Sequence, residues 1–219
     1  MLNNRISNIL SQIKLCKLVV DIGSDHAQLA IQLLKQNKAN HVINIEINNE
    51  PFLLTKKNLQ KANLLDKTTN ILSDGLKTNF TSDPIDYCVI AGMGAKNIVN
   101  IINSKNKHLK IKHFILVPND QPDYLRYFLK KMDFKIMYEE VIFEKNRFYS
   151  LLVVNKKYGL TIMNKKDTYF GPYNLKFPTT NFQAMYQNRM NYIENNKLYA
   201  YNPCINKEYQ LLREHQLWK

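Results

Sequence analysis

Glycine is scarce in this chain, with six among 219 residues. Cysteine is scarcer still: Cys16, Cys88 and Cys204 lie far apart and form no C-x-x-C, which excludes a disulfide framework and a cysteine zinc site. Long apolar runs are missing. Cys88-Val89-Ile90-Ala91 is representative of the longest and is far too short to cross a bilayer, in keeping with a mean hydropathy of -0.39. The start, Met1-Leu2-Asn3-Asn4-Arg5, leads into an amphipathic stretch rather than the apolar core of a secretion signal. These absences predict a cytoplasmic protein with no membrane partner and no metal.

Acidic residues are also few: 18 against 31 Lys and Arg, a net charge of +13. Such an excess favours an anionic partner, most simply nucleic acid. The 26 Lys, 5 Arg and 28 Asn also fit the codon usage of an AT-rich genome, so part of the excess is open to a compositional reading.

From the start to about residue 155, β-rich runs alternate with amphipathic helical stretches. Strands are predicted at 18–22, 41–46, 70–73, 85–91 and 113–117, then a hairpin of 135–143 and 148–154 around a polar break at 144–147. Helices are predicted at 27–35, 52–65, 97–102 and 124–132. The alternation predicts an α/β fold, a parallel sheet with helices on both faces and an antiparallel last strand. From Tyr158 onward the composition changes: eight of the 13 tyrosines fall there. Gly171-Pro172 and Phe177-Pro178 read as a connector, 180–200 as a helix, and Pro203 as the opening of a second helix carrying Ile205, Tyr209, Leu212 and Trp218. The expected organisation is a domain over 1–157 and a small helical hairpin domain over 158–219. The tyrosines fit either core filling or RNA stacking.

Ligands of open α/β sheets bind beyond the carboxyl ends of the strands. Four of the six glycines, Gly23, Gly75, Gly92 and Gly94, fall there. The first turn, Asp21-Ile22-Gly23-Ser24-Asp25-His26, has Asp and Gln where a dinucleotide fingerprint needs its second and third glycines. Its two carboxylates would repel a pyrophosphate. They suit a ligand with cationic groups and no phosphate, such as S-adenosylmethionine. Glu46 ends the second strand, where a carboxylate accepts ribose hydroxyls. Asp74 follows the third strand, where one accepts an exocyclic amine. This pattern favours a methyltransferase over an NAD-dependent oxidoreductase or a non-catalytic RNA-binding protein. His26 has no second ligand at metal spacing, so a packing or cofactor contact is expected.

The segments Asp21-Ile22-Gly23-Ser24-Asp25-His26-Ala27, Ile71-Leu72-Ser73-Asp74-Gly75-Leu76 and Asp86-Tyr87-Cys88-Val89-Ile90-Ala91-Gly92-Met93-Gly94 resemble motifs of the bacterial tRNA (adenine-22-N1)-methyltransferases. Val117-Pro118-Asn119, Leu125-Arg126 and Phe170-Gly171-Pro172 follow in that family's order. Departures are Glu50 before Pro51, Ala95 in place of a glycine, Val117 before Pro118, and Ala30 in place of a proline. The resemblance implies a Rossmann-like class I methyltransferase sheet with a C-terminal coiled-coil hairpin. It implies transfer of methyl from S-adenosyl-L-methionine to N1 of adenine at tRNA position 22; a monomer is favoured, with the oligomeric state left open. Other methyl acceptors, another RNA base or a non-RNA substrate, stay open.

The resemblance further implies cofactor contacts from Asp21, Gly23, Ser24, His26, Glu46, Asp74, Gly75, Ala91 and Gly92. Met93 would shape the adenine pocket. Asn119 would bond the base edge or serve as a turn residue. Asp25 would lie near the methyl-transfer point or cap a helix. Candidate phosphate contacts are Arg5, Lys96, Arg126, Arg147 and Arg189, with Lys165 and Lys166 near the domain junction.

Overall fold

A computed structural model describes residues 4–215, apart from the side chains of Asp25 and His215. Trp218, expected on the last helix, lies outside the described residues. Seven strands form one mixed sheet in the order β3-β2-β1-β4-β5-β7-β6. These are β1 (Cys16–Ile22), β2 (Ala39–Glu46), β3 (Thr68–Leu72), β4 (Ile85–Met93), β5 (Ile111–Pro118), β6 (Lys135–Glu144) and β7 (Arg147–Asn155). The first five run parallel; β7 inserts antiparallel between β5 and β6. This is the predicted α/β architecture, with the antiparallel final strand placed inside the edge rather than on it.

Side chains of a strand alternate between faces. In β1, Leu18, Val20 and Ile22 enter one core cluster while Val19 enters the other. The helices cover both faces: α1 (Asn4–Gln12), α2 (Gln28–Lys35), α3 (Asn49–Lys61), α4 (Ala95–Asn103) and α5 (Pro122–Lys131). Leu29, Leu33 and Leu34 of α2 pack with Val19 and Val42, while Ile98 and Ile102 of α4 pack on the opposite face.

Past the hairpin, Leu160 bridges Ile136 and Ile162 joins the sheet's core. Two short helices occupy the segment expected to be a connector, α6 (Lys165–Phe170) and α7 (Pro172–Lys176). A capping box starts α6: Asn164 accepts from the Asp167 backbone, and the Asp167 side chain accepts from Asn164. Then come α8 (Thr180–Asn195) and α9 (Pro203–His215), linked through a 3₁₀ turn at Leu198–Ala200. The expected single helix over 180–200 thus ends early, at a left-handed Lys197.

Phe170, Phe182, Tyr186, Ile193 and Leu212 form a third core under these helices, against Val141 of β6. Tyr169 and Tyr186 are core-filling, whereas Tyr158, Tyr192 and Tyr201 are exposed. Arg126 ties this helical part to the sheet. It is fully buried, bonds Glu139 of β6 at 2.7 Å, and donates to the carbonyls of Thr168 and Tyr169. Its assignment to RNA is therefore corrected, because no solvent-borne group can reach it. Gly171 (φ 91°) is required beside it, since a Cβ there would lie 2.1 Å from a Glu139 carboxylate oxygen.

Candidate active site

A cleft of about 820 Å³ opens at the carboxyl ends of β1, β2 and β4. Gly23, Glu46, Asp74, Gly75 and Met93 line it, all five named from the sequence. Gly23 turns away from β1 with φ 71°, its N–H donating to the Ile45 carbonyl. Only glycine suits that turn. A Cβ would be in a left-handed conformation and 2.5 Å from Cε of Met93. Met93 thus lies against the bare turn.

Glu46 is held from behind. The Ser24 hydroxyl donates to Glu46 Oε1 at 3.2 Å and meets Thr55 Oγ1 at 3.3 Å. Ser24 is buried and outside the cleft lining, so it orients Glu46. Asp21 is deeper still. Burial first, and then the neighbouring Glu46 charge, push its carboxyl up to about 7. Asp74 is half-exposed and pairs with Lys77 in the next turn.

The segment after β4 is shaped by β5. The ladder shifts register between Ala91 and Met93, and Gly92 sits at φ 78° with open space where a side chain would be. Asn119 holds both flanking carbonyls: its amide donates to Gly92 O at 2.7 Å, and its backbone N–H to Met93 O at 2.8 Å. Asp120 accepts from the Ala95 N–H at 2.8 Å, fixing the start of α4. Ala91 is part of this segment, behind the lining.

Other residues emerge only from the fold. Ile47, 61% exposed, stands beside Glu46 at the mouth. Asn97 and Asn100, one helical turn apart on α4, face the same cleft. An apolar residue after a strand-end acid and an i, i+3 Asn pair were the available signals. Thr55 and Asp120 left none, because their partners are distant in sequence.

Several assignments move. His26 (φ 66°) is exposed and lines a separate shallow surface with Lys35, Asn58 and Lys61 rather than the cleft, which corrects its cofactor contact. It starts a left-handed pair with Ala27 (φ 57°) that swings the chain into α2. The side chain of Asp25 lies outside the described residues. Arg5 bonds Glu144 at 2.7 Å and lies over the Tyr149 ring, tying α1 to the terminal hairpin. Arg189 bonds Glu208 through two nitrogens, at 2.8 and 2.7 Å, and so joins α8 to α9. Both arginines are already engaged within the fold. Lys96 and Arg147 are exposed, the first in the opening turn of α4 and the second where β7 begins, at the cleft's edge of the sheet. Among the described residues, no cluster of His, Cys, Asp and Glu can hold a metal, and no helix is long and apolar enough to cross a membrane.

The family model described as tRNA (adenine(22)-N(1))-methyltransferase matches residues 19–216. The chain belongs to the tRNA (adenine(22)-N(1))-methyltransferase family. The Bacillus subtilis tRNA (adenine(22)-N(1))-methyltransferase is 31% identical over 153 residues, which cover 69% of this chain and 64% of that protein. The Mycoplasma capricolum family member, solved with S-adenosyl-homocysteine, superposes with a TM-score of 0.83 at 27% identity, covering 98% of this chain and 94% of that one. Streptococcus pneumoniae Sp1610, solved with S-adenosyl-L-methionine, gives 0.89 at 27% identity, covering 98% and 99%. For this family member, the likeness extends through the C-terminal helices.

Proposed function

We propose that this chain transfers the methyl group of S-adenosyl-L-methionine to N1 of adenine 22 in tRNA. The observation that carries the reading is the convergence of Gly23, Glu46 and Asp74 on one cleft beneath Met93, in a chain matched by the family model over 19–216. The residues fit the cofactor. Three carboxylates at successive strand ends suit a ligand with a sulfonium and an ammonium and would repel a phosphate. When bound, the cofactor supplies an electrophilic methyl group on sulfur.

The protein's residues do the rest. Glu46, oriented by Ser24, accepts the ribose hydroxyls. Asp74 accepts the exocyclic amine, and Ile47 covers a face of the heterocycle. Asp21 offers its carboxyl from below. The bare Gly23 turn leaves room for the chain of the amino acid moiety. N1 of neutral adenine already carries an in-plane lone pair, so the site's task is alignment rather than proton removal. Asn119 presets the Gly92–Met93 segment that frames the target base. Asp25 is the further acid assigned to this point. N1 lies on the Watson–Crick edge, so the base enters unpaired.

Residues 1–157 bind the cofactor and 158–219 help to bind tRNA. A groove of about 1700 Å³ between α5, α6 and the α8–α9 pair supports a tRNA contact by the helical part together with α5, with Lys131, Lys165 and Lys207 on its walls beside Tyr127. Lys96 and Arg147 are exposed at the carboxyl-end side of the sheet, where tRNA would approach. The acting species is a monomer in the cytoplasm, where the substrate resides. Incubation with radiolabelled cofactor and tRNA, followed by mass analysis of nucleosides, tests the reading. Labelled 1-methyladenosine is expected, and none from a tRNA whose adenine 22 is replaced by another base; label on another nucleoside, or none with normal cofactor binding, would discard it.

A further inference from the structure

A second cavity, of about 650 Å³, lies at the opposite edge of the sheet, around the amino end of β5. That volume is within the range of sites that accept a small molecule. The eight residues of β5, at about 3.3 Å each, place it roughly 23 Å from the Gly92–Asn119 segment. Its floor is apolar: Leu109, Phe114 and Phe134 are nearly buried, the two rings meeting edge-on at 5.8 Å.

The rim is cationic. Lys105, Lys110, Lys112, Lys156 and Lys157 line it, and among the described lining residues none is acidic. The carboxylate of Asp86 engages Lys112, at 2.6 Å. Lys156 lies 5.2 Å from the centre of the Phe134 ring. Tyr158 stands at the wall, 68% exposed, on a turn fixed by Asn155 Oδ1, which accepts the N–H groups of Lys157 and Tyr158. Like charges are crowded here. Burial and then Lys156 hold the Lys105 ammonium below its usual pKa. Burial and then Lys112 do the same to His113. A concave, low-dielectric surface with such a rim focuses positive potential on an anion.

We infer that this cavity is a second nucleotide-binding site, in which Lys110, Lys156 and Lys157 take a phosphate and Tyr158 takes the face of a base. Lys105 is held by the carbonyls of Asn106 and Leu109, and Lys112 by Asp86. Lysine ammonium groups bind phosphate as point charges, and an exposed tyrosine stacks on any base. The side-chain amide of Asn155 is already spent on His113 and Met137, so the site lacks a free base-edge reader there and tolerates any base. The nucleotide can come free from solution or as an unpaired residue of an RNA strand; the chemistry is the same. The cavity is remote from the methyl-transfer cleft and does not depend on it.

Calorimetry on the full chain tests this. S-adenosylhomocysteine is titrated first, which reads the cofactor cleft separately. Cytidine monophosphate and a cytidine tetranucleotide are then titrated at low salt with that cleft saturated. At least one is expected to bind, and the triple variant Lys110→Ser, Lys157→Ser, Tyr158→Ala to weaken it by about tenfold or more, with S-adenosylhomocysteine affinity unchanged. Binding of the mononucleotide supports a free nucleotide, and binding of the tetranucleotide alone supports an RNA strand. The inference is overturned if neither binds, if the variant binds as the wild type does, or if inorganic pyrophosphate binds as tightly as both.

Discussion

Asp21 is one residue through which pH acts on this fold. Its carboxyl is raised to about 7 by burial and by Glu46, against an ordinary value near 3.8. Between those values the unfolded chain has released a proton that the folded chain keeps. Stability therefore falls as pH rises from about 4 through 7. Thermal melts of the ligand-free protein between pH 5 and 8 should show this decline, and Asp21→Asn should flatten it; an unchanged slope would refute the assignment. Gly23→Ala puts a Cβ into a left-handed turn and against Met93. It should cost about 1–2 kcal/mol and weaken cofactor binding by more than tenfold in a folded protein. Adding Met93→Ala should recover part of the affinity by removing the clash, which equilibrium binding would read. At this scale the strand-end acids and glycines were legible, because they follow β-rich runs directly. Arg126 was not. Nothing in Leu125-Arg126 reveals that Glu139, on another element, awaits it.

At the scale of elements, most strands were legible because β1, β2, β4 and β5 are buried on both faces along most of their length and read as apolar runs, whereas β3 is largely uncovered. β7 is like those four, its stretch from Ser150 to Asn155 being wholly buried in the structure. α6 and α7 were hidden because Gly171-Pro172 reads as a break; here Gly171 ends one helix and Pro172 opens the next. These two short helices are held by the Arg126–Glu139 pair and by Tyr186, whose hydroxyl donates to the Tyr169 carbonyl at 2.8 Å. Arg126→Met leaves a buried carboxylate without its partner. The expected loss is about 3–5 kcal/mol, or a melting temperature lower by roughly 6–20 °C. Combining it with Glu139→Gln should restore part of that loss, because a neutral amide costs less than an unpaired carboxylate in the same buried place. No recovery in the double variant would mean that packing, not charge, dominates at this junction.

For the whole molecule, the relevant quantity is the placement of the +13 charge. Composition announced an anionic partner but not the surface that meets it. Of the arginines chosen from sequence, Arg5 and Arg189 are ion-paired within the fold, and Arg126 is buried. What remains outward-facing along the groove is mostly lysine: Lys131, over the Tyr127 ring at 4.6 Å, with Lys165 and Lys207. Lysines that meet phosphates release counterions, so each one contributes to the salt dependence of binding. The triple variant Lys131→Ser, Lys165→Ser, Lys207→Ser should therefore do two things together. It should weaken tRNA binding at low salt, and it should reduce the slope of log affinity against log salt by about 0.7–0.9 for each phosphate deprived of its lysine. Cofactor affinity should not change, because none of the three touches the cleft. Filter binding of tRNA across a salt series, beside calorimetry with the cofactor, reads both. Weaker binding with an unaltered slope would mean that the groove contributes shape rather than charge. An unaltered affinity would move the tRNA away from the helical pair, onto the face that carries Lys96 and Arg147.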